Sequence, residues 1–285
     1  MSIVASSEFA FTQQDFDQIA RTLYDETGIT LEKSKANLVY SRLTKRLRAL
    51  GIENFRDYCA LVSGSDTAEL ARMCAALTTN VTRFFRENHH FEHLKTKVLP
   101  GLITAARAGK KIRIWSAGCS SGEEPYSIAL TILSVLPEAR SYDIRILATD
   151  INPHVIATGK AGVYPESEMG DVDPALRSKW MERVMVNGTR HYQLDDAARG
   201  LVTFRPLNLM GAWPMSGPFH VMFCRNVVIY FDAPTQARIW SRMLPLLDKN
   251  GVLYIGHSER VTGAAVVQTL ADGMTTYRKR MASAA

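Results

Sequence analysis

The chain has 285 residues, 46% of them apolar, four cysteines and a formal charge of +6. That length leaves room for a large core and a second domain, and no apolar run approaches the ~20 residues that a membrane span needs. Cys59, Cys74, Cys119 and Cys224 form no C-x-x-C pair and the leading residues show no basic-then-apolar signal, so disulfides, a thiolate metal site and a secretory route are not expected; the cytoplasm is. The positive excess asks for an acidic partner without choosing between nucleic acid, membrane surface and protein.

Residues 1–7 read as disordered. The spacing then predicts an amphipathic helix over 15–26, with Phe16, Ile19, Ala20 and Leu23 on one face and Gly28 ending it. A second helix over 33–50 turns Ala36, Val39, Tyr40, Leu43, Leu47 and Leu50 inward and stops at Gly51. Lys35, Arg42, Lys45 and Arg46 return to one neighbouring stripe with no interleaved acid, which marks a candidate docking surface for an acidic partner. Two short helices follow, over 55–62 after Asn54 and over 67–77 after Ser65 and Asp66, completing a small helical domain.

The passage 77–87, LTTNVTRFFRE, sets two adjacent aromatics among short polar residues and two arginines, which suits neither a solvated linker nor a plain amphipathic helix. Next, His89 and His93 have the spacing of a zinc pair, but H-E-x-x-H is not met and no third ligand follows, so no metal site is expected. Phe91, Leu94 and Val98 make this a connecting helix that Pro100 and Gly101 interrupt.

The organising stretch runs over 111–136, KKIRIWSAGCSSGEEPYSIALTILSVL. An apolar strand over 112–116 breaks at Gly118, and helical spacing begins at Glu124, with Pro125 in the first turn. Strand, glycine turn and helix open an α/β sheet whose ligand sits at the carboxyl ends of the strands. A phosphate cradle is disfavoured, because Glu123 and Glu124 stand where the anion would go. A serine-hydrolase elbow fits Gly118-Cys119-Ser120-Ser121-Gly122 literally, with His257 after a late strand. The plainest reading leaves both acids as helix caps. The next strand, over 143–149, ends in Asp150, where such folds place an acid on ribose hydroxyls. With Glu124 it defines an acid-rimmed pocket that suits S-adenosylmethionine, with its sulfonium and ammonium groups, better than NAD or ATP.

Further on, helices are expected from Pro153 and over 176–185, and short strands over 190–194 and 201–205 joined by a polar turn to form a projecting ribbon. An apolar strand over 219–224 leads into Arg225, Asn226 and Tyr230; a helix over 234–247, a strand over 251–255 and an edge strand over 275–279 finish the chain. The alternation is α/β.

WSAGCSSGEEPYSIAL, LTTNVTRFFRE, the strand ending in ATD, FCRNVVIYF and the late GHSE together resemble the CheR family of chemotaxis receptor methyltransferases, from about residue 11 to 278. The resemblance implies a class I S-adenosylmethionine-dependent methyltransferase fold, Rossmann-like with a mostly parallel seven-stranded sheet. It also implies an N-terminal all-helical domain (8–79), a connecting segment (80–110) and a methyltransferase domain (111–285) with a small antiparallel β-subdomain near 186–206. The implied activity is protein-glutamate O-methylation, in which glutamates on the cytoplasmic helices of chemoreceptors accept methyl from S-adenosylmethionine and S-adenosylhomocysteine is left. The motifs place Asn80, Thr82 and Arg86 on the cofactor, Glu124 on its amino group, Asp150 on the ribose, Asn208 and Leu209 at the adenosine end, and Arg225 and Asn226 along the remaining wall. Arg86 and Tyr230 would act at the reacting centre. Lys35, Arg42, Lys45 and Arg46 would meet the receptor, and the ribbon would tether a receptor's C-terminal pentapeptide in those members that use one. Recruitment to receptor arrays at the inner face of the membrane is expected with it, as are a monomer, no nucleic-acid partner and no membrane insertion. Amine-methylating relatives of the fold carry an Asn/Asp-Pro-Pro-aromatic run where Arg225-Asn226-Val227-Val228 stands here.

Overall fold

A computed structural model describes residues 3, 4, 8–64 and 66–280; the expected disorder of the leading residues falls largely outside that range, as does Ser65. The chain divides into two compact units, Met1–Thr79 with Tyr230–Thr235, and Asn80–Ile229 with Gln236–Ala285.

Local signals build the first unit. Helix α1 (Gln13–Thr27) starts at a capping box between Thr12 and Asp15 and ends on Gly28 in the left-handed conformation. Helix α2 (Ala36–Leu50) follows a tight turn at Lys33–Lys35 and ends on left-handed Gly51. Asn54 caps α3 (Phe55–Val62) and Asp66 caps α4 (Thr67–Leu77), each accepting a backbone N–H three residues on. Phe11, Phe16, Leu23, Leu43, Phe55 and Tyr58 fill the core. Leu50, expected inside, is exposed, and Thr44 is buried in its stead.

The second unit opens with helix α5 (His89–His93), a widened turn (Leu94–Val98) and α6 (Leu99–Arg107). Pro100 and Gly101 therefore do not interrupt the helix. Pro100 lies in the first turn of α6, where a missing N–H is tolerated, and the widened turn absorbs the misfit. Then come β1 (Ile112–Ala117), α7 (Glu123–Val135), β2 (Ile144–Asp150), α8 (Pro153–Ala161), β3 (Val163–Pro165), α9 (Pro174–Trp180), β4 (Met181–Val186), β5 (Thr189–Leu194), α10 (Asp196–Arg199), β6 (Val202–Pro206), β7 (Phe219–Cys224), α11 (Ala233–Met243), β8 (Leu247–Ile255), β9 (Thr269–Gly273) and β10 (Thr276–Lys279).

The main sheet has seven strands in the order β6-β2-β1-β7-β8-β10-β9, with only β10 running against the rest. This is the expected mostly parallel sheet, with three local differences. The last strand, β10, is internal, because β9 covers it and forms the edge. The expected helix over 176–185 ends at Trp180, and Met181 onward is strand. Finally, the small antiparallel sheet is β3-β5-β4, whereas β6, expected in the ribbon, pairs in parallel with β2 in the main sheet. Strand pairing is non-local, so short segments of mixed spacing do not announce their partners. Among the described residues no helix is long and apolar enough to cross a membrane.

Candidate active site at the carboxyl ends of the parallel strands

The strand order reverses direction about β1: the chain steps outward to β2 and β6 on one side and to β7 and β8 on the other. In open α/β sheets ligands bind above such a point, which here is bordered by the loops that leave β1 and β7. The loop after β1 is tied to β2, since Gly118 N and Cys119 N both donate to Thr149 O at 2.7 and 2.9 Å. Gly118 has φ +74°, and a Cβ there would lie 2.3 Å from Val227 Cγ2 of the loop after β7, so glycine lets the two loops touch. Ser120, with φ +50°, aims its N–H at Asp150 Oδ2 at 2.9 Å, and Asn152 N donates to Oδ1 at 2.9 Å. Burial pushes the Asp150 carboxyl up, against the pull of these N–H groups.

An ion pair spans the reversal point. Glu124 accepts from Ser116 Oγ at 2.7 Å and from the Arg225 guanidinium at 3.0 Å. All three residues are buried. Burial pushes the Glu124 carboxyl above its ordinary range, against Arg225 and Ser116. Arg225 also donates to Arg86 O, sits 5.7 Å over the Phe91 ring and lies 3.5 Å from Glu87 Oε2. Burial alone would raise Glu87, but His257, whose Nδ1 is 3.0 Å away, and Arg225 outweigh it and hold the carboxyl at about 2.

The passage 77–87 explains its odd composition here. Phe84 is fully buried, edge-on to Tyr164 at 5.0 Å, and Phe85 packs on Phe91. Phe85 and Glu87 take φ +50° and +57°, which folds the chain back so that the Glu87 side chain reaches Arg225. Asn80 O accepts from Ser120 Oγ at 3.0 Å, and Arg86 donates to Val81 O at 2.9 Å. Thr82 is half-buried in the same segment.

After β7, Asn226 takes φ +58° while Glu259, in the turn after β8, receives the backbone N–H groups of Asn226, Val227, Val228 and Gly256. Neither Glu87 nor Glu259 had a role in the sequence reading, although both lie within motifs quoted there. Asn208 Oδ1 accepts from Met210 N at 2.9 Å, and Leu209 O accepts from Trp213 Nε1 and Arg242 at 3.2 and 2.6 Å. Tyr230 belongs to the helical unit, where its carbonyl accepts from Thr30 N at 2.9 Å.

The basic stripe divides. Arg42 donates to the carbonyls of Ala76, Leu77 and Thr78 at 3.3, 3.0 and 2.7 Å, closing the end of α4, and Arg46 makes a two-pronged pair with buried Glu69 at 2.9 and 2.6 Å. Lys35 and Lys45 remain exposed. The acid missing from α2 is supplied by α4. The hydrolase elbow does not assemble, because Ser120 gives its hydroxyl to Asn80 O and His257 faces Glu87. Nor do His89 and His93 act as a pair: His93 turns to Tyr254 and Asp272, while His89 lies beside His90 and Glu87.

The donor set suits S-adenosylmethionine. Glu87, Glu124, Asp150 and Glu259 outnumber Arg86 and Arg225, so the edge favours a cationic ligand over a phosphate. A carboxylate offers about four lone-pair sites, which leaves capacity on Glu124 for an ammonium and on Asp150 for ribose hydroxyls beyond the bonds already made. Fold and site together define an S-adenosylmethionine-dependent methyltransferase. The model of the CheR methyltransferase SAM-binding domain matches residues 80–276 and that of the CheR all-alpha domain residues 14–78. A probable chemotaxis protein methyltransferase of Rhizobium etli is 54% identical over 257 residues, covering 90% of this chain and 96% of its own. Chemotaxis protein methyltransferase 2 of Pseudomonas aeruginosa is 39% identical, covering 96% of each chain. The enzyme of Escherichia coli is 36% identical, covering 95% of this chain and 93% of its own. The chain belongs to the CheR methyltransferase family.

Proposed function

We propose that this enzyme methylates glutamate side chains on the cytoplasmic helices of chemoreceptors, forming glutamyl methyl esters from S-adenosylmethionine at the arrays where those receptors gather. The observation that carries the site is the Glu124–Arg225 pair across the reversal of strand order, with Asp150 held on backbone N–H groups beside it. When bound, S-adenosylmethionine supplies an electrophilic methyl carbon next to a sulfonium leaving group. The accepting glutamate, with a pKa of roughly 4.3, is already ionised at pH 7 and needs no base from the protein. The protein's task is orientation and electrostatics. Glu124 takes the ammonium, Asp150 the ribose, and Asn208 with Leu209 the adenosine end; Asn80, Thr82, Arg225 and Asn226 complete the wall. Arg86 and Tyr230 position the incoming carboxylate, and neither takes a proton.

Exposed Lys35 and Lys45 are the cations left to meet an acidic helical bundle. In a member that uses a receptor pentapeptide, β4 is one of the two edge strands of the small sheet, to which the peptide would add as a further strand. Labelled S-adenosylmethionine incubated with receptor-rich membranes should give protein-bound label that mild base releases as methanol. Label appearing in RNA, or base-stable label, would sink the proposal. Arg86→Ala should cut turnover by about two orders of magnitude, as losing a positioned charge does, while the unfolding midpoint stays in place.

A further inference from the structure

The most heavily bonded carboxylate at the site spends all four of its hydrogen bonds on backbone N–H groups. Glu259 is buried, and its two oxygens divide four backbone N–H groups: Oε1 takes Val227 and Val228 at 2.8 and 2.9 Å, and Oε2 takes Asn226 and Gly256 at 2.9 and 2.5 Å. Three of these donors lie in the loop after β7 and one at the end of β8, so the side chain fastens two neighbouring crossover loops to each other. The fit is tight. A Cβ on Gly256 would lie 2.7 Å from Asn226 N and 2.8 Å from Glu259 Oε2, so a glycine is needed opposite the carboxylate. Asn226 is held at φ +58°, a conformation a non-glycine residue keeps only where its surroundings insist. Directly before it comes Arg225, whose guanidinium reaches Glu124 and Glu87.

We infer that Glu259 is a positioning residue for S-adenosylmethionine: by gathering the N–H groups of residues 226–228 it sets the loop that aims Arg225 at Glu124 and turns Asn226 toward the crevice. The inference rests on the cofactor reading of the site and extends it to a residue that does not touch the cofactor. An N–H donor left facing an amide N–H₂ has no acceptor, so Glu259→Gln gives up two of the four bonds in either orientation of the amide. Glu259→Asp keeps the charge and shortens the reach.

Titration of the full chain with S-adenosylhomocysteine should show affinity at least 10-fold weaker in Glu259→Gln and also weaker in Glu259→Asp. In the methylation assay KM for S-adenosylmethionine should rise by a similar factor, with kcat at saturation within about threefold of wild type. A plain folding role predicts the reverse, a lower kcat from a smaller active fraction with KM unchanged, and that result would overturn the inference. Where the variants do not fold, amide exchange on the ligand-free wild type decides: residues 226–228 and 256 should be protected, and fast exchange there refutes the carboxylate's hold. Wild type that takes up no S-adenosylhomocysteine would overturn the cofactor reading and this inference with it.

Discussion

Phe85, Glu87, Ser120 and Asn226 all take positive φ, although none is a glycine, and all four lie in the loops that make the site. Each such residue stores on the order of 1–3 kcal/mol, which the surrounding packing must hold in place. The return is visible in the contacts: Ser120 N reaches Asp150, and Glu87 reaches Arg225. The hydrogen bonds of Glu124 and Asp150 involve a charged partner, worth roughly 1.5–3 kcal/mol each, so Glu124→Gln and Asp150→Asn should each weaken S-adenosylhomocysteine binding by about 10- to 100-fold in a calorimetric titration. An unchanged affinity would remove that residue from the site. His90 makes a different prediction. Burial, with Arg225 and His89 nearby, holds its imidazole neutral down to about 3 despite the opposing charge of Glu87. Unfolded, it would take a proton near 6.5, so between about 3 and 6.5 the unfolded state binds more protons and its contribution to stability is lost as pH falls through that window. Glu87, held at about 2, adds the same sign lower down, between about 4.5 and 2. Glu124, Asp150 and Glu259, raised by burial, push the other way. The comparison that isolates His90 is therefore a variant: in urea denaturation, His90→Phe should lose less stability between pH 7 and pH 5 than the wild type does.

At the scale of elements, α2 does two jobs with one face. Arg42 satisfies the last carbonyls of α4, which have no partner within that helix, and Arg46 neutralises Glu69, a carboxylate with no exposure that also accepts from Tyr58 at 3.0 Å. Arg46→Ala should therefore lower stability by about 1–3 kcal/mol, because it strips a buried carboxylate of its main partner. Lys35→Glu with Lys45→Glu should leave the unfolding midpoint and S-adenosylhomocysteine affinity alone and raise KM for the receptor. If the pattern is exchanged, with the lysines setting stability, the docking face lies elsewhere. The elements with local signals were legible in the sequence. Gly28, Gly51, Asn54 and Asp66 mark helix ends through bonds that span only a few residues, and each ends or starts a helix as expected. The run over 181–186 had no such marker, and its strand state depends on pairing with β5.

For the molecule as a whole, the charge of +6 matters through its reach. Attraction between an exposed basic face and an acidic receptor bundle is screened over ~10 Å at 0.1 M salt, whereas buried pairs such as Glu124–Arg225 are screened far less. Raising salt from about 0.05 to 0.5 M should accordingly increase KM for the receptor several-fold and leave S-adenosylhomocysteine affinity nearly constant. A parallel loss of both would place the salt-sensitive charges in the crevice. What was readable from residue order alone was whatever chemistry sits within one short stretch: strand, glycine turn and a helix with two acids in its first turn around Glu124, the acid closing the next strand at Asp150, and the helix caps of the first unit. Tertiary structure alone decided the roles that join distant residues, namely Arg46 on Glu69, Arg225 between Glu87 and Glu124, Glu259 under the loop at 226–228, and β9 rather than β10 at the sheet edge. The reason is physical. A helix satisfies its backbone within four residues and so writes its limits locally, while a strand edge or a buried charge must find its partner elsewhere in the chain, and the sequence does not say where.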